Sequence, residues 1–177
     1  KHWYAATCEH TEEKKNLAEH TFGEWEIKDE ITLNRVCTEC KFKEESINIE
    51  SLKATNLPIV EINTVYNIAI TSKEDWLKAT FNLTGDYCAE ENLSINTEIK
   101  GRGNSSWGQP KKSYSLKLES KEKILGMKKH KRWVLIANYS DKTLLRNYIA
   151  SQMGNNIFNE TWNPSFKSVH LILNGTY

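Results

Sequence analysis

From residue 57 onward, apolar and polar positions alternate in short runs broken by turn-forming residues, the pattern of strands that bury one face. Leu57-Pro58 opens this part, because proline biases the residue before it toward extended backbone. Residues 59–70 are rich in β-branched side chains and predict one or two strands. Residues 76–84 alternate, with Leu77, Ala79, Phe81 and Leu83 on one face, and Gly85-Asp86 ends the run. Residues 95–100 alternate again until Gly101-Arg-Gly-Asn-Ser-Ser106 interrupts them. Period two resumes at 113–118, where Tyr114, Leu116 and Leu118 oppose Ser113, Ser115 and Lys117. Residues 133–137 form a short apolar run that predicts a fully buried strand, and 165–173 predict a last strand with Phe166, Ser168, His170 and Ile172 on one side. Asn174-Gly175 then reads as a hairpin turn.

One stretch has helical spacing. Leu144, Leu145, Tyr148, Ile149 and Met153 fall on one side of a helix and predict a buried stripe. Ser140 or Asp141 suits its amino-terminal cap, and Gly154 its end. Residues 121–132 are dense in lysine and read as a solvated loop, with a polyanion patch as the alternative; Ile124-Leu-Gly-Met127 within them anchors the loop to the body.

Residues 1–51 differ in texture. They hold Cys8, Cys37 and Cys40 together with His10 and His20, and they join the β-rich part through a polar stretch. The fold class expected is therefore α+β: a small Cys/His module over 1–51, then, over 52–177, a mainly antiparallel β region with one packed helix. Cys37-Thr-Glu-Cys40 has the two-residue gap that lets two thiolates share one tetrahedral metal. Cys8 with His10, or with His20 as the alternative, completes a ligand set for a structural zinc ion. A disulfide and unpaired thiols remain the other readings. Cys88 reads as a free or buried thiol.

Lys plus Arg number 24 against 23 for Asp plus Glu, so no global basic field exists to attract nucleic acid. No apolar run reaches membrane-spanning length. The chain begins at Lys1 and breaks off just after the Asn174-Gly175 turn, the pattern expected of a fragment of a longer polypeptide.

The loop at 101–106 carries the candidate chemistry. Its two glycines permit positive φ and close backbone approach, and Arg102, Asn104, Ser105 and Ser106 supply donors within a short span. With lysines on the following strand, such a loop can hold phosphate against main-chain amides. An ordinary hairpin loop with solvated lysines is the alternative, and the spacing is that of neither a P-loop nor a dinucleotide fingerprint.

Gly101-Arg-Gly-Asn-Ser-Ser-Trp107, Lys111-Lys-Ser-Tyr-Ser-Leu-Lys117, Ile124-Leu-Gly-Met127 and the run from Trp133 to Asn147 occur in the order seen in the spore-coat protein H (CotH) kinase family, which residues 55–177 resemble. The resemblance implies the amino-terminal, nucleotide-covering part of a kinase-like fold in a secreted or spore-surface protein, using ATP with Mg to phosphorylate Ser of a protein substrate. It implies nucleotide-phosphate contacts from Gly101, Arg102, Gly103, Asn104, Ser105, Ser106, Lys112 and Lys117, with Lys117 the favoured cation. Asp141, Arg146 and Asn147 form a family signature, expected to lock the helix to the sheet by a charge-assisted hydrogen bond; a nucleotide contact is the alternative. The catalytic aspartates are expected beyond Tyr177. A non-catalytic role in adhesion or in the coat, with a cell-surface partner, is the competing expectation, and the amino-terminal module is similar to small repeats of bacterial surface proteins.

Overall fold

The computed structural model describes residues 2–3, 17–85, 92–157 and 163–177. The chain divides into two compact units, Lys1–Ala54 and Thr55–Tyr177.

In the first unit β1 (His2–Trp3) pairs with β2 (Leu17–Ala18), and β3 (Glu26–Ile27), β4 (Thr32–Val36) and β5 (Lys43–Ile47) form an antiparallel sheet. A short helix, α1 (Ile49–Lys53), follows. Its cap is Asn48, whose side-chain oxygen accepts the Ser51 amide at 3.2 Å. The polar stretch read as a linker thus holds a strand and a capped turn of helix; the signal was Asn48 with Glu50 in the first turn.

The second unit is built on a six-stranded sheet in the order β10-β9-β8-β7-β6-β11. Its strands are β6 (Ile59–Thr64), β7 (Leu77–Thr84), β8 (Leu93–Arg102), β9 (Ser113–Glu122), β10 (His130–Leu135) and β11 (His170–Leu173). Neighbours from β6 to β10 are antiparallel, while β11 runs parallel to β6. The alternation read from the sequence sets one apolar face. Val60, Ile62, Ala79, Phe81, Leu83, Ile99, Leu116 and Leu118 meet there and are buried, and Ile70, Ile124 and Leu125 close over them. Each large side chain so removed from water contributes roughly 1.5–3 kcal/mol. Ile124 and Leu125 anchor the lysine-rich turn as expected.

Of the one or two strands expected in residues 59–70 one forms, because the chain turns at Val65–Asn67 with Tyr66 at φ 58°. Three expectations are corrected. Residues 133–137 are not fully buried: β10 is an edge strand, so Val134 and Ile136 face away from the core and are exposed. The last strand is shorter than 165–173 and starts at His170. The helix α2 (Arg146–Ile157) forms, but it starts after Asp141 and runs through Gly154. Leu144, Leu145, Tyr148, Ile149 and Met153 are exposed; the side it buries carries Ser151, whose hydroxyl donates to the Pro164 carbonyl. Helical spacing fixes which residues share a face, but the segment touching α2 meets its small-residue side instead.

At the β6–β11 end the second sheet face is buried too. Ile59, Ile172 and His170 lie there, and His170 is bracketed by the Thr55 hydroxyl at 2.7 Å from Nε2 and the Tyr177 hydroxyl at 2.9 Å from Nδ1. Burial disfavours the imidazolium and lowers the pKa of His170. A histidine whose pKa is lower folded than unfolded contributes stability that is full above the unfolded value and is lost as pH falls. Urea unfolding followed by tryptophan fluorescence should therefore show a midpoint that drops as pH falls below about 6.5. His170→Gln should remove that part of the slope; an unchanged slope contradicts the assignment.

Candidate functional site

The interruption at 101–106 lies where β8 turns into β9, and its glycines do different things. Gly101 is buried and its amide donates to the Ser72 carbonyl at 2.9 Å. A Cβ on it would sit 2.3 Å from the Trp107 indole. Gly101 is therefore small because Trp107 lies on it. The indole packs on the core and meets Tyr114 edge-on, with ring centres 6.3 Å apart. Gly103 has φ +105°, where L side chains are strained, and the Ser106 hydroxyl hangs over its α-carbon.

Ser105–Gly108 form one 3-10 turn. Among the described residues, the amides of Gly103, Asn104, Ser105 and Ser106 meet no acceptor, and Arg102, Asn104, Ser105 and Ser106 are exposed. The loop thus presents open donors from the very segment that the glycine pattern singled out.

Lys112 is committed to the loop. Its ammonium donates to the carbonyls of Trp107 at 2.7 Å and Gln109 at 3.2 Å and sits 4.8 Å from the Trp107 ring centre. It closes the loop from below, as a staple.

Lys117 points to the sheet face opposite the core, where it pairs with Glu98 of the neighbouring strand at 2.5 Å. Trp76 shares this face: the Lys100 and Lys117 ammonium groups lie 4.9 and 6.0 Å from its ring centre. Register places Lys78 opposite Glu98 and Arg132 opposite Lys117. The hydrogen bond from Lys117 is the largest influence on Glu98. Desolvation opposes it, attraction to Lys117, Lys78 and Lys131 adds to it, and the net effect holds the carboxyl below its ordinary value. One carboxylate thus sits among several cations on a face that carries one aromatic plate. Trp76, Glu98 and Lys100 were not singled out from the sequence. Trp76 and Lys78 share a strand parity, and so do Glu98 and Lys100, but cross-strand pairing, not local spacing, brings them together.

The Asp141, Arg146 and Asn147 cluster is local to the segment joining β10 to α2. Asp141 accepts the amides of Arg146 at 2.9 Å and Thr143 at 3.1 Å and the Thr143 hydroxyl at 2.8 Å. The Arg146 amide is the largest reason that the Asp141 carboxyl lies below its ordinary value, against some desolvation. The Arg146 guanidinium lies 3.5 Å from it and is mostly exposed, and Asn147 donates to the Asn138 side chain at 2.7 Å. These bonds shape the start of α2; none of them reaches the sheet.

In the first unit, His20, Cys37 and Cys40 place their ligand atoms within 4.8 Å of one another. The Cys40 sulfur is 3.3 Å from His20 Nδ1. Burial pushes the Cys37 thiol up, but amides of Cys40 and Glu39 and the side chains of His20 and Cys40 outweigh it and bring it to about 6. Cys8, His10 and Cys88 lie outside the described residues.

No helix among the described residues is long and apolar enough to cross a membrane. A family model described as CotH kinase protein matches residues 99–177. No curated protein and no solved structure matches the chain. The matched segment starts at Ile99 and so takes in the loop, β9 with Lys112 just before it, and the Asp141 cluster.

Gly101→Ala should displace the Trp107 indole and cost about 1–3 kcal/mol in urea unfolding, with loss of near-UV circular dichroism. Gly101→Ala with Trp107→Leu should recover part of that loss; a cost unchanged in the double variant contradicts the contact.

Proposed function

We propose, from the match of residues 99–177 to the CotH kinase family model, that the second unit is the nucleotide-covering part of a CotH-type phosphotransferase. The full-length protein would pass the γ-phosphoryl of ATP, with Mg, to Ser of a secreted or coat protein at the cell or spore surface. The observation that carries this reading is the set of four open amides at 103–106, within the matched segment and at the head of a cationic sheet face.

Phosphoryl transfer asks a protein chiefly to position phosphates and neutralise their charge. Amides of Gly103 to Ser106 would take phosphate oxygens, with Ser105, Ser106 and Asn104 side chains beside them. Along β8 the Glu98–Lys117 pair lies five residues from Gly103, about 16 Å at the usual strand rise, so Lys100 and Arg102 fall between pair and loop on the same face. Arg102 and Lys100 would therefore meet the phosphates nearest the loop. Lys117, held in direction by Glu98, would meet the rest of the nucleotide, and Trp76 offers an apolar plate for its base. Lys112 serves by fixing the loop. In protein kinases a Lys–Glu pair holds the phosphate-binding lysine; here the pair joins two adjacent strands. The Asp141 carboxylate is spent on Thr143 and Arg146, so the carboxylates that hold Mg and receive the serine proton would come from elsewhere in the full-length protein.

The commitments of Lys112 and Lys117 to partners inside the unit favour a second reading, a non-catalytic surface or coat protein that keeps the family fold. Calorimetric titration of Mg·ATP into the full-length protein separates the two. The phosphotransferase reading expects saturable binding, weakened about tenfold or more by Lys117→Ala and by Arg102→Ala, and transfer of label from γ-labelled ATP to Ser. Absence of binding and of thermal stabilisation by Mg·ATP overturns it in favour of the second.

A further inference from the structure

Across residues 19–54 of the first unit little is held together by burial. The buried apolar side chains across these residues are Cys37 and Leu52, while Trp25, Ile27 and Phe42 are exposed. Two strands of five residues and one of two do not enclose a core. Units this small commonly rely on a metal or a disulfide instead.

Backbone pairing brings the ligands together. The Gly23 amide bonds to Val36 and the Thr38 amide to Thr21, and Phe22 forms a bridge with Cys37, so His20 lies against the turn that carries Cys40. That turn is tight: Lys41 at φ 61° donates its amide to Cys37, and the Cys37 amide donates to Phe42. The His20 ring stacks on Phe42, with centres 4.8 Å apart and planes at 15°, which fixes its orientation.

We propose that His20, Cys37 and Cys40 bind one zinc ion, and that this ion takes the place of a hydrophobic core in the first unit. Tetrahedral zinc sets ligand atoms about 3.8 Å apart for two sulfurs and about 3.6 Å for sulfur and ring nitrogen. The three ligand atoms already lie within 4.8 Å of one another, so closing on the ion takes shifts of about 1 Å or less. Two sulfurs and an imidazole select zinc over magnesium or calcium, which prefer oxygen. Two thiolates and a neutral ring around the dication leave these three ligands and the ion with no net charge. The site takes His20, the alternative to His10 in the set expected from sequence, beside Cys37 and Cys40, and it rests on these three residues alone.

The test uses the whole chain, kept reduced and purified without chelator. Elemental analysis should find one zinc per chain. Cobalt(II) titrated into the metal-free chain should give the intense visible bands of a tetrahedral centre with a thiolate charge-transfer band. Cys40→Ser and His20→Ala should each weaken cobalt binding about tenfold or more, whereas Cys88→Ser should not. Chelation should expose residues 19–47 to protease and leave 59–85 and 92–122 resistant. The proposal is overturned if the reduced chain takes up neither zinc nor cobalt, if Cys88→Ser abolishes uptake, or if Cys37 and Cys40 form a disulfide that keeps the unit protease-resistant in chelator.

Discussion

The indole of Trp107 resting on the bare α-carbon of Gly101 is the contact on which the candidate site depends. It turns a glycine in the middle of a strand end into a socket, and it seats the 3-10 turn that follows. Tyr114 supports the ring edge-on, and the Lys112 ammonium lies 4.8 Å from its centre. Such aromatic and cation–π contacts contribute on the order of 1 kcal/mol each. With the turn held, the amides from Gly103 to Ser106 meet no acceptor among the described residues. A loop held open in this way has already lost much of the conformational freedom that binding would otherwise cost it.

The sheet supplies the second half of the arrangement. Strict alternation along β7, β8 and β9 drives the apolar side chains to one face and leaves Lys78, Glu98, Lys100, Arg102 and Lys117 on the other. The Glu98–Lys117 pair is over a third exposed on both sides, so solvent screens it and its worth to stability is small. Its consequence is directional: it holds one ammonium group over the same patch as Trp76. Residues 19–54 of the first unit work on another principle, with few buried apolar side chains and a cluster of soft ligands.

Much of this was legible in the sequence wherever the physics is local. Period two gave the strands around the loop and the buried side of each, and Ile124 and Leu125 were read correctly as an anchor. The coarse α+β reading, with a Cys/His cluster ahead of the sheet, agrees with the structure. Burial of α2 was not legible, because a stripe of Leu144, Leu145, Tyr148 and Ile149 says which side is apolar and not what covers it. The run at 133–137 was misread for a related reason: an all-apolar strand looks central until its place at the sheet edge is known. The role of Gly101 was also hidden. Backbone approach to a ligand and approach of a tryptophan both call for glycine, and only the position of Trp107 distinguishes them.

The central claim, that open amides at 103–106 receive phosphate, is tested most directly by amide hydrogen exchange of the full-length protein with and without Mg·ATP. The account predicts slower exchange confined to peptides covering 103–106 and the facing strand positions 98–102, shifted to higher nucleotide concentration by Arg102→Ala. Equal exchange at 103–106 in both conditions, under nucleotide concentrations that saturate binding elsewhere in the protein, would contradict it.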